Sequence, residues 1–222
     1  DRYITSLEFE NIEFQHASNN KYFMNADKSF TLESVSFVNC DFIGLTRGFW
    51  RHQQATGKHI MNFEVEGCRF DKCGWQTGSY GLVDLRSFND PTSYDQIDKA
   101  VFRNCTFSRD NDGTAGFGWG NLFYAPYVDK PIQLEFKNIT IYNYSLNKRL
   151  INISSAVGSE LTIEGMVLAS PSGDLYVAGA NTTTHFSNNY TTKDYALGGA
   201  KMNATDLDIT AAELFVDPDN GD

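Results

Sequence analysis

The sequence contains no apolar run approaching the roughly 20 residues that a membrane-spanning helix needs, so no membrane span is expected. Positive charge is also scarce. Lysine and arginine total 18 against 28 aspartates and glutamates, a formal charge of −10 with no long run of one sign. That balance excludes the phosphate-neutralising surface on which nucleic-acid binding depends. The chain opens inside a strand-like stretch, Asp1-Arg2-Tyr3-Ile4, where no secretory leader is expected, and is therefore read as one domain excised from a longer protein.

What the sequence does contain is a motif that returns seven times. Each copy is a short apolar alternation, then Asn or Gly, then a second alternation of opposite phase. Leu7-Glu8-Phe9-Glu10-Asn11-Ile12-Glu13-Phe14 is the first copy and Val35-Ser36-Phe37-Val38-Asn39-Cys40-Asp41-Phe42 the second; the series fades at Thr184-His185-Phe186-Ser187-Asn188-Asn189-Tyr190. The pivots are Asn11, Asn39, Gly67, Asn104, Asn138, Gly165 and Asn188, spaced by 28, 28, 37, 34, 27 and 23 residues, a range that marks a stacked-repeat protein. In one flat strand the two alternations would face opposite ways. The chain must turn at each pivot, and Asn and Gly are the residues that tolerate the left-handed backbone such a corner needs.

A third strand falls between pivots, at Phe49-Trp50-Arg51-His52, Leu82-Val83-Asp84-Leu85, Leu122-Phe123-Tyr124-Ala125, Leu150-Ile151-Asn152-Ile153 and Leu175-Tyr176-Val177-Ala178. Three short strands per repeat predict an all-β, single-domain parallel β-helix over residues 1–222. Seven coils would stack to roughly 30 to 35 Å at about 4.8 Å per rung. Residues 195–222 are expected to form a C-terminal cap, in which Thr210-Ala211-Ala212-Glu213 has capping-box spacing and starts a short helix over one end of the stack.

Cys40, Cys68 and Cys105 each follow a pivot and should stack in the core as free thiols, because in-register neighbours of a parallel ladder seldom meet disulfide geometry. No histidine joins them to make a metal set, and Cys73 receives no role. The Asn-X-Ser/Thr sequons at Asn104, Asn138, Asn143, Asn152, Asn181, Asn189 and Asn203 are read as β-helix composition, with the pivot asparagines expected to be buried in a ladder and glycosylation the lesser alternative.

The repeated strand-Asn-Cys-X-Phe rungs resemble the right-handed parallel β-helix of the pectate lyase superfamily. A nearer resemblance is to the β-helical domains of unknown function at the C-terminal end of secreted, often lipid-anchored proteins of polysaccharide-foraging gut bacteria. It rests on the Phe-X-Asn-Cys-X-Phe rungs, on Phe186-Ser187-Asn188-Asn189-Tyr190-Thr191-Thr192, and on the closing Leu214-Phe215-Val216-Asp217-Pro218-Asp219-Asn220-Gly221-Asp222. The resemblance implies a right-handed helix of about seven coils, a secreted or outer-surface bacterial location, polysaccharide as partner, and a monomer joined to other domains of its own chain. It does not fix an activity.

In the lyase relatives substrate lies across the outward face of the first strand of each coil. Here alternation places Arg51, Asp84, Arg86, Tyr124 and Asn152 outward on that face, with Val83, Leu85, Phe123, Ile151 and Ile153 inward. The two long spacings come from insertions flanking the same strands. One carries Trp75 and Tyr80, the next Phe117 and Trp119, and the opposite side Asp90, Tyr94, Asp95 and Asp98, predicting a groove with an aromatic and an acidic wall. Aromatic rings on glycine-rich loops suit sugar rings, or else they fold back as plugs. Trp75, Tyr80, Phe117, Trp119, Tyr124 and Asn152 are thus candidate carbohydrate contacts.

A lyase would use Arg51 or Arg86 as base or carboxylate clamp with Asp84 as partner, although a salt-bridged surface ladder accounts for the same three residues. Glycoside hydrolysis is disfavoured because Asp84 stands alone on the stripe. His52 is read as an inward core histidine and His59 as part of a turn. Asp110-Asn111-Asp112-Gly113 opens like an EF-hand loop but has Asn121 where the closing glutamate should stand. No cofactor is demanded; calcium is the one ion left open. The leading expectation is a polysaccharide-binding or support domain, with a lyase of uronic-acid polymers second and a spacer or adhesin stalk third.

Overall fold

In a computed structural model of the chain, the described residues are 2–15, 22–52, 57–74, 81–85, 95–108, 121–144, 150–169, 173–174, 176–195, 197–198 and 202–217. They are 62% strand and 2% helical, and every strand pairing among them is parallel. Each strand pairs with its counterpart one repeat later. Arg2–Glu10 runs beside Phe30–Val38, that strand beside Lys58–Glu66, and then come Gln96–Ser108 and Gln133–Tyr142. A second sheet takes the strands Tyr22–Ala26, Gly48–His52, Gly81–Asp84, Asn121–Tyr124, Ile151–Ile153 and Tyr176–Ala178 in simple chain order. This all-β arrangement is compatible with a parallel β-helix.

All seven pivots turn as expected. Asn11, Asn39, Asn104, Asn138 and Asn188 have φ between 51° and 56°, and Gly67 and Gly165 have φ of 63° and 68°. From the second pivot to the sixth, the residues two before and one after the corner then point into one core. Phe9 and Phe37 stack at 4.8 Å before the corner; after it, Phe14, Phe42, Phe70 and Phe107 form a ladder with ring separations of 5.1, 4.8 and 4.9 Å.

The pivot asparagines differ from expectation in being exposed rather than buried. A left-handed corner aims its own Cβ outward while the residue two before it and the residue after it turn in, as Phe37 and Cys40 do around Asn39. The amides still meet along the outside: Asn39 Nδ2 donates to Asn11 Oδ1 at 3.5 Å, Asn138 Nδ2 to Asn104 Oδ1 at 3.0 Å, and Asn104 Nδ2 to Glu66 Oε1 at 3.2 Å. Asn189, one residue past its pivot, is buried instead. Its Oδ1 accepts from the Met166 N–H at 2.9 Å and its Nδ2 donates to the Ile163 carbonyl at 3.0 Å, tying two coils together.

All four cysteines are buried free thiols. The Cys40 N–H points at Cys68 Sγ at 3.4 Å, and the Cys68 thiol donates to the Phe37 carbonyl at 3.4 Å. Cys73 occupies a second corner in the same manner, its thiol bonding the Phe42 carbonyl at 3.3 Å.

Near the C-terminus the capping box forms, with the Thr210 N–H donating to Glu213 Oε2 at 2.7 Å ahead of the helix Ala211–Leu214. The Ala211 N–H donates to Asp194, and Phe215 packs edge-on against Tyr142 at 5.6 Å. The segment therefore runs back along the side of the stack, because Tyr142 lies just beyond the Asn138 pivot, two pivots before the last.

Candidate functional site

Register aligns four of the five residues expected outward, Arg51, Asp84, Tyr124 and Asn152, and adds Asn25 to them; Arg86 lies outside the described residues. Asn25 pairs with Arg51, Arg51 with Asp84, Asp84 with Tyr124, Tyr124 with Asn152 and Asn152 with Val177. The five polar residues therefore form one column along the axis of the stack, spaced by one strand at each step. The predicted inward residues Val83, Leu85, Phe123, Ile151 and Ile153 are all buried. Alternation fails one residue earlier. Phe49, Leu82, Leu122 and Leu150 are buried beside Trp50, Val83, Phe123 and Ile151, so two consecutive residues enter the core at the head of each strand.

The stripe is not uniformly open. Asn25 is exposed and Tyr124 and Asn152 are half-exposed, but Arg51 is only 6% exposed and Asp84 is fully buried. Tyr22, one coil before Arg51 and two before Asp84, serves both: its hydroxyl donates to Asp84 Oδ2 at 3.5 Å, and the Arg51 guanidinium lies over its ring, 5.5 Å from the centroid. A buried carboxylate and guanidinium need such partners, since an unpaired charge in the interior is costly. This arrangement corrects the expectation of an accessible Arg51–Asp84 pair. Arg51 and Asp84 act as the base of the face, and Tyr124 and Asn152 present its surface. Asn152 Oδ1 accepts from the Ser154 N–H at 3.2 Å, which fixes its amide and leaves the NH₂ end to bond outward.

Arg86, Trp75, Tyr80, Phe117 and Trp119 lie outside the described residues, as do Asp90, Tyr94 and the Asp110-Asn111-Asp112-Gly113 loop. Asp95 and Asp98 are described, and neither forms an acidic wall. Asp98 Oδ2 lies 2.9 Å from His59 Nε2, and His59 belongs to the strand Lys58–Glu66, not to a turn. Asp95 is buried beside Lys58 and His52. Among the described residues no group of three or more His, Cys, Asp or Glu side chains is placed to hold a metal ion. No described helix is long and apolar enough to cross a membrane.

Tyr22, Asn25 and the meeting of Lys58 with Asp95 escape sequence reasoning. Tyr22 and Asn25 belong to the first coil's third strand, Tyr22–Ala26, in which Phe23, Met24 and Asn25 stand in register with Phe49, Trp50 and Arg51; that shared Phe opening is the signal that could have found them. The meeting of Lys58 with Asp95 is hidden because they are 37 residues apart and a long insertion obscures their register. A polar cleft of about 350 Å³ lined by Thr192, Lys193, Tyr195, Asp206, Leu207 and Asp208 lies near the C-terminal end, away from this stripe. It lacks aromatic stacking surface beyond the buried Tyr195, and the stripe remains the better candidate.

Compared with protein-family models, with curated proteins and with solved structures, the chain matches none. The functional reading therefore rests on the chemistry of the stripe.

Proposed function

We propose that this chain is a right-handed, pectate lyase-like parallel β-helix of about seven coils that binds or supports a polysaccharide in a secreted or surface-anchored bacterial protein. The observation that carries the reading is the column Asn25, Arg51, Asp84, Tyr124 and Asn152, in register across successive coils. A glycan chain laid along the stack would run over Asn25, Tyr124 and Asn152, the members of the column that reach the surface, on coils that repeat at about 4.8 Å, close to the length of one sugar unit. Tyr124 offers a ring face and Asn152 an amide donor, the pairing of apolar and polar contacts that sugars require. Binding ranks ahead of lyase chemistry because a proton-abstracting arginine needs access to substrate, and Arg51 has almost none.

The test is to incubate the purified domain with pectic and other uronic-acid polysaccharides, with and without calcium, following gel retardation and the ultraviolet absorbance of unsaturated products. Retardation without product supports the binding module. Unsaturated product that vanishes in Arg51→Ala or Arg86→Ala would make the protein a lyase, and neither signal across the panel would favour a spacer.

A further inference from the structure

Lys58, Asp95 and His52 meet where the strand Gly48–His52 ends and the long strand of the next coil begins. Lys58 and Asp95 stand on adjacent coils, one residue before the register pair His59 and Gln96. The Lys58 backbone N–H donates to Asp95 Oδ1 at 3.0 Å, and Lys58 Nζ lies 3.7 Å from the same oxygen. On the other side His52 Nδ1 is 3.3 Å from Asp95 Oδ2. Despite that proximity, neither ring nitrogen of His52 nor Asp95 Oδ2 has a well-aligned hydrogen bond among the described residues.

The setting is dry. Lys58 and His52 are fully buried, Asp95 is 4% exposed, the Phe30 ring meets His52 edge-on at 5.9 Å, and Ile60 and Ile97 seal the core two positions along each strand. Burial pushes the Lys58 ammonium towards its neutral, nucleophilic form, against the opposing pull of Asp95 and Asp27. An ammonium and a carboxylate held together out of bulk solvent, with an imidazole at the second carboxylate oxygen, have what amide condensation requires.

We propose that Lys58 and Asp95 condense to an intramolecular amide between Nζ and Cγ, with His52 carrying the proton, so that a covalent bond joins adjacent coils. The ammonium first yields a proton to the Asp95 carboxylate. The freed lone pair of Nζ forms the bond to Cγ. A second proton from the nitrogen passes, through His52 Nδ1, to the departing oxygen; the Cγ–O bond breaks and one water leaves. The two hydrogens lost from nitrogen and the one oxygen lost from the carboxylate account for that water. Neither oxidant nor cofactor takes part, and the proposal is independent of the glycan-binding reading.

The intact mass of the denatured wild-type protein tests it without any substitution. The expected mass is one water below that of the sequence, and a proteolytic digest should yield a branched peptide holding both Lys58 and Asp95. Lys58→Arg should restore the full sequence mass, and Asp95→Asn should be one ammonia lighter than its own sequence, because the carboxamide loses its nitrogen on condensation. A wild-type mass equal to the sequence mass, with Lys58 and Asp95 in separate peptides, would overturn the cross-link. His52→Gln should lower the cross-linked fraction; complete cross-linking in that variant would remove His52 from the reaction.

Discussion

Gly67 shows how single residues set this architecture. Its φ of 63° is a left-handed conformation, and a Cβ added there would run into the Asn39 Oδ1 of the preceding coil. Gly67→Ala should therefore lower stability by about 1–2 kcal/mol in denaturant titration, whereas Asn11→Gly, at an exposed pivot of the first coil, should stay within a few tenths. The buried thiols make a second residue-level prediction. Burial, the largest cause, raises Cys68, Cys73 and Cys105 from 9.0 to about 12. The folded state keeps those protons while the unfolded chain releases them, so their contribution to stability is full below about pH 9 and declines as pH rises towards 12. Unfolding midpoints measured from pH 7 to 11 should fall at the alkaline end, less steeply in Cys68→Ala. The pivots are legible in the sequence because only Asn and Gly accept that backbone cheaply. The burial of Asp84 is not, since alternation tells which side a residue faces and nothing of what covers it.

At the scale of the element, each coil is held by like residues stacked on like. Phe70 lies between Phe42 and Phe107, with ring separations of 4.8 and 4.9 Å, and is fully buried. Phe70→Ala should cost about 3–5 kcal/mol by urea unfolding, since both neighbours lose their stacking partner and no side chain can collapse into the gap. The surface pairs Arg69–Asp41, Arg103–Glu135 and Lys137–Glu164, at 3.1, 2.8 and 2.9 Å, follow the same ladder logic with far less effect. Removing one should change stability by under about 1 kcal/mol. The two strands flanking each pivot are legible because a period of two that changes phase across Asn or Gly fits a bent pair of strands and fits no helix. The break in alternation at Phe49 and Trp50 is not, because two consecutive apolar residues look alike whether the strand bends or one of them faces solvent.

At the scale of the whole molecule, the sequence carries the parallel stacking and the outward stripe, while the geometry redistributes the roles within that stripe. Arg51 and Asp84 move from candidate chemistry to a buried base supported by Tyr22; Tyr124, Asn152 and Asn25 remain at the surface. The cluster of Lys58, Asp95 and His52 is illegible in the sequence because its members come from two coils separated by an insertion. The central claim is that this column carries a glycan, and affinity electrophoresis through gels containing a series of pectic and other polysaccharides tests it most directly. The wild-type domain should be retarded by at least one polymer, with Tyr124→Ala binding it about tenfold more weakly, equivalent to about 1.4 kcal/mol of lost ring contact. Unchanged retardation in Tyr124→Ala, or no retardation of the wild type by any polymer, would contradict it.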